Sequence, residues 1–417
     1  MAKKRNNIIE LGRFIYSLIV LGYHVQLSYD EDNKTVDPFE CGALSVEYFF
    51  FLSGYFLARS LEKLSADNET NFFKKYYYFM KNKITALLNV HIIAIVAVII
   101  IIACCDTKNF LDKFLPGITS IFLVQMIVVY HGDFEKALII PEWYLSSMII
   151  CMLFMVPIFL LFKKVILKGV YIVLILLGVL VIFAIIFGLV TNWNLKKNMI
   201  FDLRAWGEMN LSMFSYYLSL YVGKQTYGKH LSNFLKVIEI IGYFLPVILG
   251  IIPINKTYEP ICMSVTGLCT FCAIFITFSN KGNSIESDKV NWAFGYLGTL
   301  SLPIYVFHPV ILILIDYVYE DCPKYAKYLI LFFSTLILSF AYRIIADYLN
   351  KKIEERKKKN EEIEKLKEEE KQEDIKINKE ENNLEENNKE ENSKEENNNK
   401  LMPVNENQND VNIKIYN

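Results

Sequence analysis

Long apolar runs follow one another from residue 8 to about residue 349, and only short polar loops separate them. The runs 90–103, 170–190 and 329–345 are too apolar and too closely spaced for the core of a soluble protein. About 20 helical residues cross the ~30 Å hydrocarbon core of a bilayer, because each residue adds about 1.5 Å to a helix. The sequence therefore predicts an all-α fold, a polytopic bundle of transmembrane helices.

We predict about ten spans, at residues 8–27, 41–60, 84–103, 143–162, 165–190, 210–223, 235–254, 260–278, 293–317 and 326–348. A further run, 118–130, is short for a crossing and is interpreted as a re-entrant or interfacial helix. Short cytoplasmic loops carry excess Lys and Arg, and with this count most basic loops share the side of both termini. The exception is the outer loop with Lys196, Lys197 and Arg204. We therefore expect a multi-pass protein of the plasma or inner cell membrane with both termini in the cytoplasm.

The chain beyond residue 349 has a different composition. It is an almost unbroken Lys/Glu/Asn tract, which cannot bury enough apolar surface to fold alone. Opposite charges at helical spacing favour helix in part of it. We therefore divide the chain into a membrane domain, residues 1–349, and a disordered, charged cytoplasmic tail, residues 350–417. A solubilising or tethering role is favoured for the tail over a specific binding role.

The eight cysteines mostly lie in apolar runs and lack the spacing of metal ligands. We therefore expect buried thiols that behave as small hydrophobic groups, and no metal site. Cys41 and Cys322 fall in predicted outer loops and are candidates for a disulfide.

The first span, residues 8–27, carries Arg13 and His24. The two are eleven positions apart, and eleven steps of ~100° come within about 20° of three full turns, so they share one face. Ionisable groups inside a membrane helix are costly and mark functional sites by default. The alternative is that Arg13 snorkels to the inner headgroups while His24 lies in the outer interface. Because the run is long for a signal sequence and contains Arg13, we interpret it as an uncleaved span.

His308, in the predicted span 293–317, is expected at a depth similar to that of His24. Histidine is the side chain best suited to take a proton from a hydroxyl near neutral pH, so we place the chemistry at this level. The alternative for His308 is a polar cap at a helix break, since Pro303 and Pro309 flank it. A carboxylate inside a span needs a partner, and we expect Glu47 to hold a histidine at the common level.

Two pairs of neighbouring residues contain further candidates for substrate binding. Gly54 permits close helix approach, and packing is the alternative to a substrate role for its neighbour Ser53. Glu142 and Trp143 open the predicted span 143–162 at the outer surface. Glu142 is placed to face a polar substrate, whereas Trp143 is either beside that substrate or an interfacial anchor.

A basic and aromatic segment, FFKKYYYFMKNK, precedes the third span at residues 72–83 and contains Lys81 and Lys83. Arg59 lies at the inner end of the second span. Such a set suits a phosphate-bearing ligand with a stacking base, such as coenzyme A. It equally suits anionic headgroups beside an aromatic belt, and charge alone does not choose between them.

Five phrases occur in a characteristic order. Arg13 with ten residues before His24 is followed by SVEYFFFLSGYFLARSL, WYLSSMIICMLFMVP, FSYYLSLYVGK and GTLSLPIYVFHP. Over about residues 5–348 they resemble the acyltransferase type 3 family, the integral-membrane O-acyltransferases that decorate cell-surface polysaccharides. The resemblance implies that acyl-CoA binds from the cytoplasm and that its acyl group reaches an acceptor hydroxyl on the outer side.

The resemblance also implies roles for single residues. It makes His24 the catalytic histidine, Arg13 the conserved arginine, Glu47 the acidic position of the second span, and His308 the histidine of the last motif. The SGF segment of the family corresponds to Ser53, Gly54 and Tyr55.

The chain also departs from the family pattern. Lys81 and Lys83 stand where arginines are usual, and Ala86 stands where a proline is common. Met148 occupies the place of a glutamate found in many members. The chain is similar to the branch with WFL or WYL in place of WSL, which includes bacterial surface-polymer acetyltransferases without a fused extracellular domain.

We therefore expect an enzyme that moves an acyl group, with acetyl favoured, from cytoplasmic acyl-CoA to a hydroxyl of a cell-envelope polysaccharide or glycolipid. The expected residues are His24, Glu47 and His308 for catalysis, Arg13, Arg59, Lys81 and Lys83 for the donor, and Ser53, Glu142 and Trp143 for the substrate. His24 acts as a general base or as a transient acyl carrier. The alternative is a transporter or flippase of an anionic lipid-linked sugar. We expect contact with membrane lipids, no tightly bound cofactor and no nucleic-acid partner.

Overall fold

The computed structural model describes residues 6–28, 38–66, 71–128, 137–165, 197–255, 258–282 and 287–399. Eleven α-helices run through these parts of the chain: α1 Asn7–Leu27, α2 Ser45–Ala66, α3 Phe72–Cys105, α4 Phe110–Ile121, α5 Gln125–Val128, α6 Trp143–Val165, α7 Lys197–Gly223, α8 Lys229–Ile251, α9 Glu259–Phe278, α10 Asp288–Val318 and α11 Lys324–Asn399. Short 3-10 turns lie at Gly42–Leu44, Thr107–Asn109 and Ile140–Glu142. The described structure contains no strand, and the all-α prediction is confirmed.

Seven of the described helices are long and apolar enough to cross a membrane. The qualifying segments are Asn7–Leu27, Phe72–Cys105, Ile140–Leu161, Lys229–Ile251, Ile261–Phe278, Asp288–Val318 and Lys324–Glu369. Two further predicted spans correspond to α2 and α7, which form helices of 22 and 27 residues but carry several charged residues. The predicted span 165–190 lies almost entirely outside the described residues. The prediction of about ten spans is therefore approximate.

The predicted re-entrant segment forms two short helices, α4 and α5, with a break between them at residues 122–124. Their 12 and 4 residues are too few for either to cross a bilayer. Side chains support the non-helical backbone around them: Ser120 Oγ accepts from the Leu138 N–H at 3.1 Å, and Ser146 Oγ accepts from the Met126 N–H at 3.2 Å. Buried backbone groups need such partners because water is absent there.

Helix α1 packs chiefly against α10. A Cβ added at Gly298 of α10 would lie 2.6 Å from Glu10 Cβ, so the glycine lets the two helices approach closely. Helix α10 continues through Pro303 and Pro309 without interruption, so the alternative of a cap at a helix break is not what the structure shows. This packing brings together the two helices that carry His24 and His308.

Helix α2 packs chiefly against α7. A Cβ added at Gly54 would lie 2.8 Å from Met209 Cα, and Ser212 Oγ donates to the Phe51 carbonyl. The prediction that Gly54 permits close helix approach is confirmed, because the backbone of α7 occupies the space that a side chain would need.

Cys41 and Cys322 are buried in different hydrophobic clusters, and no disulfide joins them. Cys41 lies with Leu44 and Cys262, whereas Cys322 lies in the cluster that contains Leu331. The candidate Cys41–Cys322 disulfide is therefore wrong, because helix packing separates two loops that the sequence places on the same side.

The chain divides into two compact units, Met1–Ile344 and Ile345–Asn417. Helix α11 extends to Asn399. Residues 350–399 are therefore helical, where the composition predicts a disordered tail with helix in only part of it. Its many opposite charges at helical spacing favour that helix.

Candidate active site

The imidazoles of His24 and His308 lie against each other. Their ring centroids are 5.1 Å apart and their planes differ by 29°. His24 is half-buried, and His308 is completely buried. The expected common depth of the two histidines is therefore matched by direct contact between their rings.

The surroundings of His308 fix its tautomer. Its Nδ1 lies 3.1 Å from the carbonyl oxygen of Ile304. A carbonyl oxygen can only accept, so Nδ1 carries a proton, and in the neutral ring Nε2 is left with a lone pair. Nε2 has no hydrogen-bond partner among the described residues. His308 is therefore oriented as a base.

Tyr305 connects the histidine pair to the interior of the bundle. Its ring meets His308 edge-on at 5.9 Å and Tyr144 edge-on at 5.7 Å. Its hydroxyl donates to the Pro141 carbonyl. Tyr305 also lines a cavity, so that cavity lies one side chain away from His308.

The first cavity, here called the apolar cavity, has a volume of about 280 Å³. Its apolar lining includes Phe49, Leu52, Phe56, Met80, Ile84, Leu87, Leu145, Met148, Ile149, Met152 and Leu302. Its polar lining consists of Arg13, Ser53, Lys83, Tyr144, Ser301 and Tyr305. Ser53 Oγ lies 3.0 Å from the Tyr144 hydroxyl, which places this predicted substrate residue on the cavity wall.

The second cavity, here called the cationic cavity, has a volume of about 620 Å³. Its charged lining consists of Arg13, Arg59, Lys63, Arg343 and Glu10. Arg13 Nη1 lies 3.1 Å from Glu10 Oε2. The two cavities adjoin, because Arg13, Phe56, Ala86 and Leu302 line both.

Three of the four predicted donor residues line these cavities. Arg13 lines both, Arg59 lines the cationic cavity and Lys83 lines the apolar cavity. Lys81 lines neither; it is exposed, and its Nζ lies 5.8 Å from the centre of the Tyr77 ring. Residues two apart on a helix point about 200° away from each other, so the two lysines cannot share a face.

Glu47 does not hold a histidine in this structure. Its carboxylate is paired with Arg204, whose Nε also donates to Glu208 Oε1 at 3.2 Å. All three side chains are buried. The expected partner was wrong because Arg204 lies within α7, which packs on α2, and not in an outer loop. Because Arg204 is buried in an ion pair within a helix, it does not count as a basic residue of an outer loop.

Glu142 does not face an open site, contrary to expectation. It is completely buried, and its two carboxylate oxygens lie 3.0 and 2.9 Å from His91 Nδ1. Trp143 is half-buried with its ring 6.0 Å from Phe50. Neither Glu142 nor Trp143 lines either cavity.

For Tyr144 the sequence offered only the role of an interfacial anchor beside Trp143, and it indicated no role for His91, Tyr305 or Arg343. A histidine inside an apolar run was a usable signal for His91. Tyr144 and Tyr305 lie inside quoted phrases, WYL and LPIYVFHP, where aromatic residues alone are common. Arg343 gave no signal, since an arginine near the end of a span is ordinary.

The model of an acyltransferase domain, Acyl_transf_3, matches residues 6–344. No curated protein and no solved structure matches the chain. The matched region contains both histidines, both cavities and all seven apolar helices at least in part. The protein is therefore a member of the acyltransferase type 3 family and an acyltransferase.

Proposed function

We propose that this protein moves an acyl group, in the simplest case acetyl, from cytoplasmic acyl-CoA to a hydroxyl of a cell-envelope polysaccharide or glycolipid. The observation that carries the proposal is the continuous arrangement of cationic cavity, apolar cavity, Tyr305 and histidine pair. Acyl-CoA carries phosphates at one end and a thioester at the other. Its phosphates would lie in the cationic cavity and its thioester would lie toward the histidine pair.

The cationic cavity suits the phosphates of coenzyme A. Arginine forms charge-assisted, bidentate hydrogen bonds with phosphate oxygens, and Arg13, Arg59 and Arg343 line this space. Lys63 adds a further positive charge. Glu10 lies against Arg13 and orients its guanidinium. The excess of positive over negative charge in the lining favours an anionic ligand.

The apolar cavity suits the arm that carries the thioester. Arg13 lies where the two cavities meet, and Tyr305 lies at the histidine side of the apolar cavity. Ser53 and Tyr144 offer hydroxyl groups along this wall, which can bind the amides of the arm. Exclusion of water from this space protects the thioester from hydrolysis.

The transfer itself needs one base. His24 is the more exposed member of the pair, so it is the one that an acceptor hydroxyl reaches. It takes the hydroxyl proton while the oxygen attacks the thioester carbon; the C–O bond forms, the C–S bond breaks, and the proton passes to the departing thiolate. His308 presents a second basic nitrogen beside it. In the covalent variant of this route, His24 first accepts the acyl group and then passes it to the hydroxyl.

The decisive experiment is release of free CoA thiol by the purified full-length protein in lipid nanodiscs, given acetyl-CoA and an envelope glycan fraction. We expect acceptor-dependent release that is lost in His24→Ala and retained in the matched control His230→Ala, whose histidine is exposed at the start of α8. Retained release in His24→Ala would remove His24 from the mechanism. Movement of a lipid-linked sugar across proteoliposomes without thiol release would support the transporter instead.

Mass spectrometry of envelope polymers from cells with and without the gene identifies both the acyl group and the acceptor. We expect a mass difference of one acyl group per modified sugar in a glycan or glycolipid. Identical polymers in the two strains would contradict the proposed acceptor class.

A further inference from the structure

A buried histidine–glutamate pair lies outside the machinery described so far. His91 is in the middle of α3, and Glu142 ends the 3-10 turn before α6. Both side chains have no exposed surface, and His91 Nδ1 lies 2.9 Å from the nearer carboxylate oxygen. A fully buried ionisable pair is costly because both groups lose their hydration, so its presence calls for a reason.

The hydrogen bonds of His91 are fixed at both ring nitrogens. Its Nε2 lies 3.3 Å from the Ile121 carbonyl oxygen, which can only accept, so Nε2 carries a proton. The contact between Nδ1 and Glu142 then contains one shared proton, held by the ring or by the carboxyl. The ring is therefore locked in position, and it locks the carboxylate in turn.

Glu142 is one residue from an anchor point of the active site. The Pro141 carbonyl accepts the hydrogen bond of the Tyr305 hydroxyl. Tyr305 in turn packs edge-on against His308, at 5.9 Å between ring centres and 70° between planes. A displacement of the turn that contains Glu142 would thus move the acceptor of Tyr305 and change the packing of His308.

Support of the re-entrant backbone does not account for the pair. The Leu138 and Met126 N–H groups already have partners in Ser120 and Ser146. A backbone carbonyl such as that of Ile121 needs a single donor, which a neutral serine or asparagine would supply at lower cost than an ionisable pair. The Glu142 carboxylate orients the His91 ring but cannot itself donate a hydrogen bond to that carbonyl.

We propose that His91 and Glu142 are positioning residues: they hold the turn at Pro141, and through Tyr305 they keep His308 oriented for acyl transfer. This inference rests on the proposed function, because it assigns the pair to the same reaction. It predicts a defect in the chemical step and leaves the binding of the donor intact, since neither residue lines the cationic cavity.

The test compares Glu142→Ala, Glu142→Gln, Tyr305→Phe and the double variant Glu142→Ala/Tyr305→Phe in the CoA-release assay. We expect Glu142→Ala to lower kcat by roughly 10–100-fold, since small misplacements of catalytic groups have effects of that size, with KM for acetyl-CoA unchanged within about twofold. Glu142→Gln should recover most of the activity, because a glutamine keeps a hydrogen bond to His91. The double variant should be no slower than the slower single variant, since both changes break one chain of contacts.

Ser120→Ala is the matched control, because it removes one buried hydrogen bond from the same segment without touching Glu142 or Tyr305. We expect it to lower the thermal midpoint in detergent without lowering kcat per folded molecule. The inference is overturned if Glu142→Ala behaves in the same way, or if the losses in the double variant multiply. Should Glu142→Ala fail to fold, Tyr305→Phe, which removes a single hydroxyl, decides: an unchanged kcat would overturn the inference.

The two proposals fail differently. If Glu142→Ala and Tyr305→Phe both release CoA thiol at the wild-type rate, the positioning role is rejected and the proposed function is retained. A wild-type protein that releases no CoA thiol with any acceptor rejects the proposed function and the positioning role together.

Discussion

His24 and His308 stack with their ring centres 5.1 Å apart, although one lies in the first helix of the membrane domain and the other in a helix near its end. The close packing of α1 on α10 brings them together, and the hydrogen bond from His308 Nδ1 to Ile304 leaves the opposite ring nitrogen as a base.

Replacement of His308 by asparagine separates its packing role from its basicity. The amide nitrogen of Asn keeps a donor for the Ile304 carbonyl but provides no basic nitrogen. We expect kcat for CoA release to fall by roughly 10–100-fold, because the general base His24 loses the ring packed against it and the basic nitrogen beside it, with little change in thermal midpoint. An activity near that of the wild type would show that His308 only fills space.

Loss of positive charge in the cationic cavity should weaken the binding of the donor. We expect Arg59→Ala and Arg343→Ala each to raise KM for acetyl-CoA roughly 10–100-fold, because each removes a charge-assisted hydrogen bond worth about 1.5–3 kcal/mol. Lys81→Ala is the control, since Lys81 is exposed beside Tyr77 and lines neither cavity. A larger effect at Lys81 than at Arg59 would place the phosphates on the surface of α3.

The pair of Arg204 with Glu47 should contribute to folding more than to catalysis. Removal of one partner from a buried ion pair destabilises a protein by about 3–5 kcal/mol, because the other charge stays buried alone. We expect Arg204→Met to lower the thermal midpoint strongly, and Glu47→Gln together with Arg204→Met to recover part of the loss. If Glu47→Gln abolished transfer without any effect on stability, the catalytic role first expected for Glu47 would be restored.

A methyl group at Gly54 should separate α2 from α7, since it would collide with the Met209 backbone. We expect Gly54→Ala to destabilise the protein by about 1–3 kcal/mol, the usual result of overpacking. Gly267→Ala is the matched control, because the nearest atom to its added Cβ would be Phe51 Cε2 at 3.8 Å, an ordinary contact. Equal midpoints for the two variants would contradict the close approach at Gly54.

The segment between α3 and α4 should respond to acid. The hydrogen bond and charge of Lys113 hold the pKa of the Asp106 carboxyl below its usual value, with Nζ 2.6 Å from Oδ2. A lowered pKa means that the stabilisation is complete above about pH 5 and is lost as the pH falls through the native pKa, below about 4. Hydrogen exchange of residues 107–121 should therefore differ between wild type and Asp106→Asn at pH 6, and the difference should shrink on acidification. A difference that stayed constant with pH would contradict the ion pair.

The length and spacing of the apolar runs were sufficient to predict helices, because the membrane leaves the backbone few alternatives. The same reasoning identified the short run near residue 118 as something other than a crossing, and the helical period identified the shared face of Arg13 and His24. Arg13 lines both cavities, and His24 contacts His308, as a shared face and a shared depth lead one to expect.

The partners of buried charges were beyond the sequence. Glu47 was expected beside a histidine, but the packing of α2 on α7 gives it Arg204 instead. Glu142 was expected at an open surface, but the re-entrant segment buries it against His91. The partner of a buried charge depends on how helices that are distant in the chain rotate and approach each other. Hydropathy carries no information about either the rotation or the approach.

The sequence by itself determined that the chain is helical, that it is built for a membrane, which family it belongs to, and which histidines to examine. Only the tertiary structure decided that the two histidines touch, that two cavities adjoin at Arg13, and that Tyr305 connects a buried His91–Glu142 pair to the site. The physical reason is that hydrophobicity and helical period are local properties of the chain, whereas a cavity or an ion pair exists only once separate helices have packed together.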